Sequence, residues 1–120
     1  MNLLRAGWFV GALVTCAIPA SAHPAHWYRL NFIAGWPITA KCALSHTTPF
    51  AMITLWQRSP NYQGARVFRN ASGAVSAVLI GVADNSGESI SMSAFFPTMT
   101  NCTQAKAHLE GRILHPNDLK

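Results

Sequence analysis

Acidic side chains are scarce in this sequence of 120 residues, which contains only four carboxylates, Asp84, Glu88, Glu110 and Asp118. Glycoside hydrolysis needs two carboxyl groups that flank one bond, and these four are scattered over a turn, a strand start, a helix end and the C-terminus. The sequence also lacks the Gly-x-Ser-x-Gly motif of a serine nucleophile. The residue inventory therefore favours a protein that is not an enzyme, and it disfavours a small hydrolase.

Runs of basic residues are also missing. Lysine and arginine together number nine and give a net charge of +5, but no two of them are adjacent. Nucleic-acid-binding segments usually cluster their basic residues, so we expect no nucleic-acid partner. The positive excess is typical of a solvated surface, with loose adsorption to anionic lipid or polysaccharide as the alternative.

Long apolar runs are limited to one, close to the N-terminus. Arg5 precedes an apolar stretch that ends in Ala20-Ser21-Ala22, the order of a cleavable signal peptide. We therefore expect residues 1–22 to be removed, so that His23 becomes the first residue and no integral membrane segment remains. A retained anchor is the first alternative, but the run is shorter than the roughly 20 residues that a spanning helix needs. A lipoprotein attached at Cys16 is the second, although Thr15 fits the preceding position poorly.

Cysteine is rare as well, and two of the three cysteines, Cys42 and Cys102, follow the predicted cleavage point. An even number in an oxidising compartment predicts one disulfide. Closing a loop of about 60 residues contributes on the order of 4 kcal/mol in the chain-entropy model. A metal or catalytic pair is the weaker alternative, because no Cys-x-x-Cys occurs.

The hydrophobic pattern predicts an α+β domain over residues 23–111 with the order β-α-β-β-β-α. Alternation of apolar and polar residues indicates strands, and Thr48-Pro49 and Asn101 supply helix starts. We expect an antiparallel sheet of about four strands with both helices on one face, closed by the disulfide near the two helix starts, and a C-terminal tail over residues 112–120. The predicted strands are 27–34, 65–69, 74–83 and 89–96. Arg66 and Arg69 are expected to stay exposed on an edge strand.

The sequence resembles a group of small exported bacterial proteins of no assigned function. The resemblance rests on the aromatic first strand Trp27–Phe32, on Cys42, on Phe95-Phe96-Pro97-Thr98 and on Cys102 in the last helix. It covers nearly the whole chain after residue 22, but its motifs are short and structural. It implies the two-cysteine layout and a periplasmic or secreted setting, and it carries no catalytic residue.

Histidines offer one route to metal chemistry. Cleavage after Ala22 would expose the α-amine of His23, with His26 three residues on, and an amine with an imidazole can chelate copper. His46 is a conceivable second ligand, although no spacing argues for it. The alternative is a solvated polar leader that binds no metal. Trp36 lies in a predicted loop, where it is either a binding anchor or a lid on the core.

These features predict a small exported domain, periplasmic or secreted, that binds a partner or has a role in the envelope, without a cofactor and without catalysis. Its partner would then be another envelope protein. An inhibitor or immunity-type protein of a partner enzyme is one alternative. A copper or zinc carrier that uses the mature N-terminal histidine is the other.

Cleavage is directly testable. N-terminal sequencing of the exported protein should read His-Pro-Ala-His, because the small residues Ala20 and Ala22 fit a signal peptidase site. An exported pool that still begins at Met1 would contradict the prediction.

Overall fold

The computed structural model describes residues 26–119 and confirms an α+β class. The predicted signal peptide, Cys16 and the bond between Ala22 and His23 lie outside the described residues. In chain order the elements are β1 (Trp27–Ile33), β2 (Ala43–Ser45), α1 (Pro49–Trp56), β3 (Tyr62–Arg69), β4 (Val75–Ala83), β5 (Ile90–Phe96), α2 (Met99–Leu109) and a 3-10 helix (Pro116–Leu119).

The strands form one sheet in the order β2-β1-β5-β4-β3, and every neighbouring pair is antiparallel. Strands β3, β4 and β5 are the predicted meander, and β1 joins it beside β5. The sheet has five strands instead of about four because Ala43–Ser45 pairs with the start of β1. A strand of three residues is too short to show a periodic pattern in the sequence.

Side-chain hydrogen bonds to the backbone shape the hairpin turns. Asn70 Oδ1 accepts from the backbone N–H groups of Ser72 and Ala74 at 3.0 and 3.1 Å, and Gly73 has a φ of +90°. Asn side chains commonly stabilise turns in this way, and only glycine adopts such a φ freely. The turn at residues 84–87 repeats the arrangement, so the meander is held at both of its turns as predicted.

The two helices lie on opposite faces of the sheet, and the expectation that they share one face is wrong. The α2 face consists of the inward residues Tyr28, Leu30, Phe32, Leu79, Met92, Ala94 and Phe96, against which α2 packs. The α1 face consists of Trp27, Val78, Ile80 and Phe95, against which Met52 and Ile53 of α1 pack. Both faces of the central strands carry apolar residues. One helix on each face therefore buries more apolar surface than two helices on the same face.

Each helix begins at a threonine. Thr48 Oγ1 accepts from the Ala51 N–H at 3.1 Å, with Pro49 at the first helical position, as predicted. Helix α2 begins three residues earlier than expected, because Thr98 Oγ1 accepts from the Asn101 N–H at 3.0 Å. Both Thr-x-x and Asn-x-x sequences suit a helix start, so the sequence alone leaves the choice open.

The predicted disulfide between Cys42 and Cys102 is present. Cys102 is fully buried in the first turn of α2, and Cys42 directly precedes the edge strand β2. The bond therefore ties α2 to one edge of the sheet. It does not staple two helices together, because α1 lies on the far face.

Residues 112–119, expected to form a tail, pack back onto the sheet. Ile38 N–H donates to the Arg112 carbonyl at 3.0 Å, and Leu119 is only 5% exposed. Leu119 fits over Gly81 so closely that a Cβ at residue 81 would lie 2.6 Å from its Cδ1 atom. The sequence of this segment shows no periodic pattern, because its contacts come from one turn of 3-10 helix and one isolated β-bridge.

Strand β3 forms the second edge of the sheet, and Arg66 and Arg69 are exposed on it, as predicted. Charged side chains on an edge strand hinder pairing with a second sheet.

We expect the disulfide to be needed for stable folding. Cys42→Ser and Cys102→Ser should each lower the free energy of unfolding by about 2–5 kcal/mol, the usual loss for a small secreted domain. The double variant should lose little more, because the two sulfurs act as one unit. Denaturant unfolding measures all three. Ready labelling of both thiols in the native, non-reduced protein would contradict the prediction.

Candidate functional site

The carboxylates do not converge within residues 26–119. Glu110 pairs with Lys106 at 2.8 Å, and Asp118 accepts from the His115 backbone N–H at 2.8 Å. Asp84 is exposed in its turn, where the hydrogen bond from Ser86, followed by backbone N–H donors, holds its pKa below the usual range. Over the same range no hydrogen bond joins a histidine side chain to a carboxylate or a hydroxyl. The described residues thus contain no assembled acid–base pair.

A groove with a volume of about 770 Å³ lies on the α2 face. We call it the α2–β3 groove. Its floor is apolar and its walls mix apolar and polar groups. The floor consists of Ala77, Leu79, Ala94 and Phe96; Asn101, Gln104, Ala105 and His108 of α2 form one wall, Leu114 and Asp118 one end, and Arg66 and Phe68 of β3 the far side.

The groove exists because the helical layer is narrower than the sheet. Helix α2 packs on β1 and β5, and the 3-10 helix packs on one end of β3 and β4. The other end of β3 and β4 is left uncovered. Phe68 remains 37% exposed there, with the Arg66 guanidinium stacked 4.7 Å from its ring centroid.

The volume and the lining of this groove lie within the range that is typical of ligand pockets. Ligand pockets typically enclose about 300–1,000 Å³ and combine an apolar lining with a few polar groups. The outer edge of β3 adds a second feature, because no strand of the described chain pairs with it. Its backbone N–H and C=O groups face outward and can pair with an incoming strand.

A smaller cavity of about 380 Å³ lies on the α1 face; we call it the Arg29 cavity. Arg29 Nε donates to Asn31 Oδ1 at 2.7 Å, and Arg29 Nη2 donates to Ser93 Oγ at 3.0 Å. Ser93 Oγ in turn donates to Asn31 Oδ1 at 2.8 Å, and the guanidinium lies 5.2 Å from the Phe95 ring centroid. Burial lowers the pKa of Arg29, but an arginine starts so high that it stays charged at neutral pH.

The structure brings two of the predicted histidines together. Trp27 pairs with Ser45, and His26 and His46 are the chain neighbours of these two paired residues. Both histidines are exposed and line one cavity of about 440 Å³. His23 lies outside the described residues. No group of three or more histidine, cysteine or acidic side chains suited to a metal occurs in the part of the chain that the structure describes.

Trp36 is 66% exposed, so it does not form a lid on the core. Neither the α2–β3 groove nor the Arg29 cavity was predicted from the sequence. The signal for the Arg29 cavity was present, since Arg29, Asn31 and Ser93 occupy the polar positions of two alternating strands. The signal for the groove was not, because its walls come from segments far apart in the chain.

No protein-family profile, curated protein or solved structure matches this chain. Within residues 26–119, neither helix has the length and apolar character required to cross a membrane.

Proposed function

We propose that this chain is an exported, non-catalytic binding protein, periplasmic or secreted, whose α2–β3 groove takes an extended apolar peptide segment of another envelope protein. The observation that carries the proposal is the placement of an apolar groove directly beside an unpaired edge strand.

An extended peptide uses both features at once. Its backbone adds to the edge of β3 by strand pairing, which supplies affinity that does not depend on sequence. Because side chains alternate along a strand, every second side chain of the peptide turns toward the α2 face and enters the groove beside Phe68. A small apolar molecule would use the floor of the groove but would leave the backbone groups of β3 without partners.

Charge narrows the kind of peptide. Strand β3 carries Arg66 and Arg69 and no acidic residue. A segment with acidic residues next to its apolar positions therefore fits this edge better than a basic one. The groove also has a polar end at Asp118, which favours one direction of binding over the other.

Export and the absence of catalysis rest on separate support. A disulfide in a small domain is compatible with an oxidising compartment, and the carboxylates of the described residues lie apart. An inhibitor or immunity-type protein of a partner enzyme is one form of this function, in which the bound segment belongs to that enzyme.

Photo-crosslinking in the native compartment tests the proposal. A photoreactive phenylalanine analogue in place of Phe68 should crosslink one partner, and mass spectrometry should place the crosslink in an extended apolar segment flanked by acidic residues. The matched control is Leu55, which is 70% exposed on α1, away from the groove.

A purified peptide with the identified sequence should then bind the wild-type protein, and Gln104→Trp, which fills the groove from an exposed position, should abolish binding. Equal crosslinking from positions 55 and 68, or unchanged binding by Gln104→Trp, would refute the proposal.

A copper or zinc carrier is the second candidate function, and the position of His26 and His46 in the lining of one cavity favours it. Because both histidines line this cavity, a metal ion held there would be accessible to both imidazoles. Imidazole is a good ligand for both metals, and the α-amine of His23 would supply a third group after cleavage.

Metal titration of the mature protein tests this candidate. His46→Ala should weaken binding of Cu(II) or Zn(II) at least about tenfold, since even the loss of a ligand's supporting partner costs 10–100-fold. His115→Ala, an exposed histidine remote from the pair, is the control. Removal of His23 tests the third ligand separately. Equal affinities of the wild type and His46→Ala would exclude the pair as the site.

A further inference from the structure

We infer that the Arg29 cavity binds a small organic anion, with its carboxylate or phosphate group held by Arg29 and its apolar body held by α1. This site is on the opposite face of the sheet from the α2–β3 groove and does not depend on the function proposed there.

Arg29 lines the cavity and has donors that no described residue accepts. A guanidinium carries five N–H donors in a planar fork. Nε contacts Asn31 Oδ1 and Ser93 Oγ, and Nη2 also contacts Ser93 Oγ, so one edge of the fork is occupied. Both hydrogens on Nη1 and one on Nη2 have no acceptor among the described residues. One hydrogen on Nη1 and the free hydrogen on Nη2 together form the end edge of the fork, which binds carboxylate and phosphate in a bidentate manner.

Arg29 forms no salt bridge within residues 26–119. The ion pair of this range is between Lys106 and Glu110 on α2, so no carboxylate oxygen of the range lies within the 4.0 Å of a salt bridge to the guanidinium. A half-buried cation without a partner pays for desolvation. An anionic ligand recovers that loss.

The guanidinium is held in position before any ligand arrives. Ser93 is only 7% exposed, and its hydroxyl joins Arg29 to Asn31 on the neighbouring strand. The ring of Phe95 supports the guanidinium from below. Fixing the donors in advance reduces the conformational entropy that binding would otherwise cost.

The other walls define the rest of the ligand. Met52 and Trp56 of α1 and Ile80 and Val82 of β4 give the cavity an apolar side, which suits a ring or a short hydrocarbon body. Asp84 lines another part of the wall, and its lowered pKa keeps it ionised. A ligand with one negative charge is therefore favoured over one with several, and an amine on its far side would gain a contact with Asp84.

Three probes separate these contributions. Benzoate carries an anion and an apolar ring, inorganic phosphate carries the anion alone, and benzylamine carries the ring with the opposite charge. NMR titration of the ¹⁵N-labelled mature protein should show benzoate shifting the Arg29 Nε–H signal and the amides of Ser93 and Phe95. Phosphate should shift the same signals with lower affinity, and benzylamine should leave the Arg29 Nε–H signal unmoved.

Variants identify the group responsible. Arg29→Gln should weaken benzoate binding by about tenfold or more, as expected for the loss of charge-assisted hydrogen bonds. Arg29→Lys keeps the positive charge but lacks the planar fork of donors, so its affinity for benzoate should lie between those of the wild type and Arg29→Gln. Arg112→Gln changes an exposed arginine that lines neither the groove nor the cavity, and this variant should bind benzoate as the wild type does.

Two results would overturn the inference. One is unchanged benzoate affinity in a folded Arg29→Gln variant, with folding checked by circular dichroism. The other, available from the wild type alone, is a set of benzoate-induced shifts confined to the α2–β3 groove, or no shifts at all at millimolar benzoate.

Discussion

Strand β5 occupies the centre of the sheet, and its pairing with β1 on one side and β4 on the other fixes the rest of the structure. Strand β1 pairs with β5, the last strand of the meander, so β1 and β3 lie on opposite sides of β5 and β4. Residues 34–61 therefore connect β1 to the opposite edge of the sheet, where β3 lies. Along this connection β2 pairs with β1 at one edge, and α1 packs on the face opposite to α2. Met92 and Phe95 lie on opposite faces of β5, and both are fully buried. A domain that buries both faces of its central strand needs a covering layer on each, and the two helices supply them.

The position of the α2–β3 groove follows from that arrangement and from the disulfide. Because Cys102 is bonded to Cys42 beside β2, α2 is held toward the β2 edge of the sheet. The 3-10 helix covers part of the remaining area, and Leu119 can approach closely enough only because residue 81 is glycine. What stays open lies along β3, the edge farthest from the disulfide. The disulfide holds α2 near the β2 edge of the sheet, and for the same reason the edge along β3 stays open.

Local patterns predicted the elements well, and long-range choices were harder to predict. The alternation that put Leu30 and Met92 inside was sufficient, because a strand with one apolar face has one stable orientation. The same alternation assigned Ser93 to the outside, yet it is buried, because α1 covers the second face and hydrogen bonds satisfy the hydroxyl. Phe50 is a large apolar residue in the first turn of α1, yet it is 44% exposed and contacts Trp27 edge-on. Which face a helix covers depends on the path of the chain around the sheet, and no short segment encodes that path.

Both candidate sites break the rules that the rest of the fold obeys. The α2–β3 groove exposes Phe68 beside an apolar floor, and the Arg29 cavity places a charged residue between two apolar clusters. Neither arrangement serves stability, since covering Phe68 would bury more apolar surface and apolar side chains in place of a buried polar cluster often stabilise a protein. Folded proteins depart from local consistency chiefly at functional or strained sites. The departures here lie beside the two helices, where each helix leaves part of its face of the sheet uncovered.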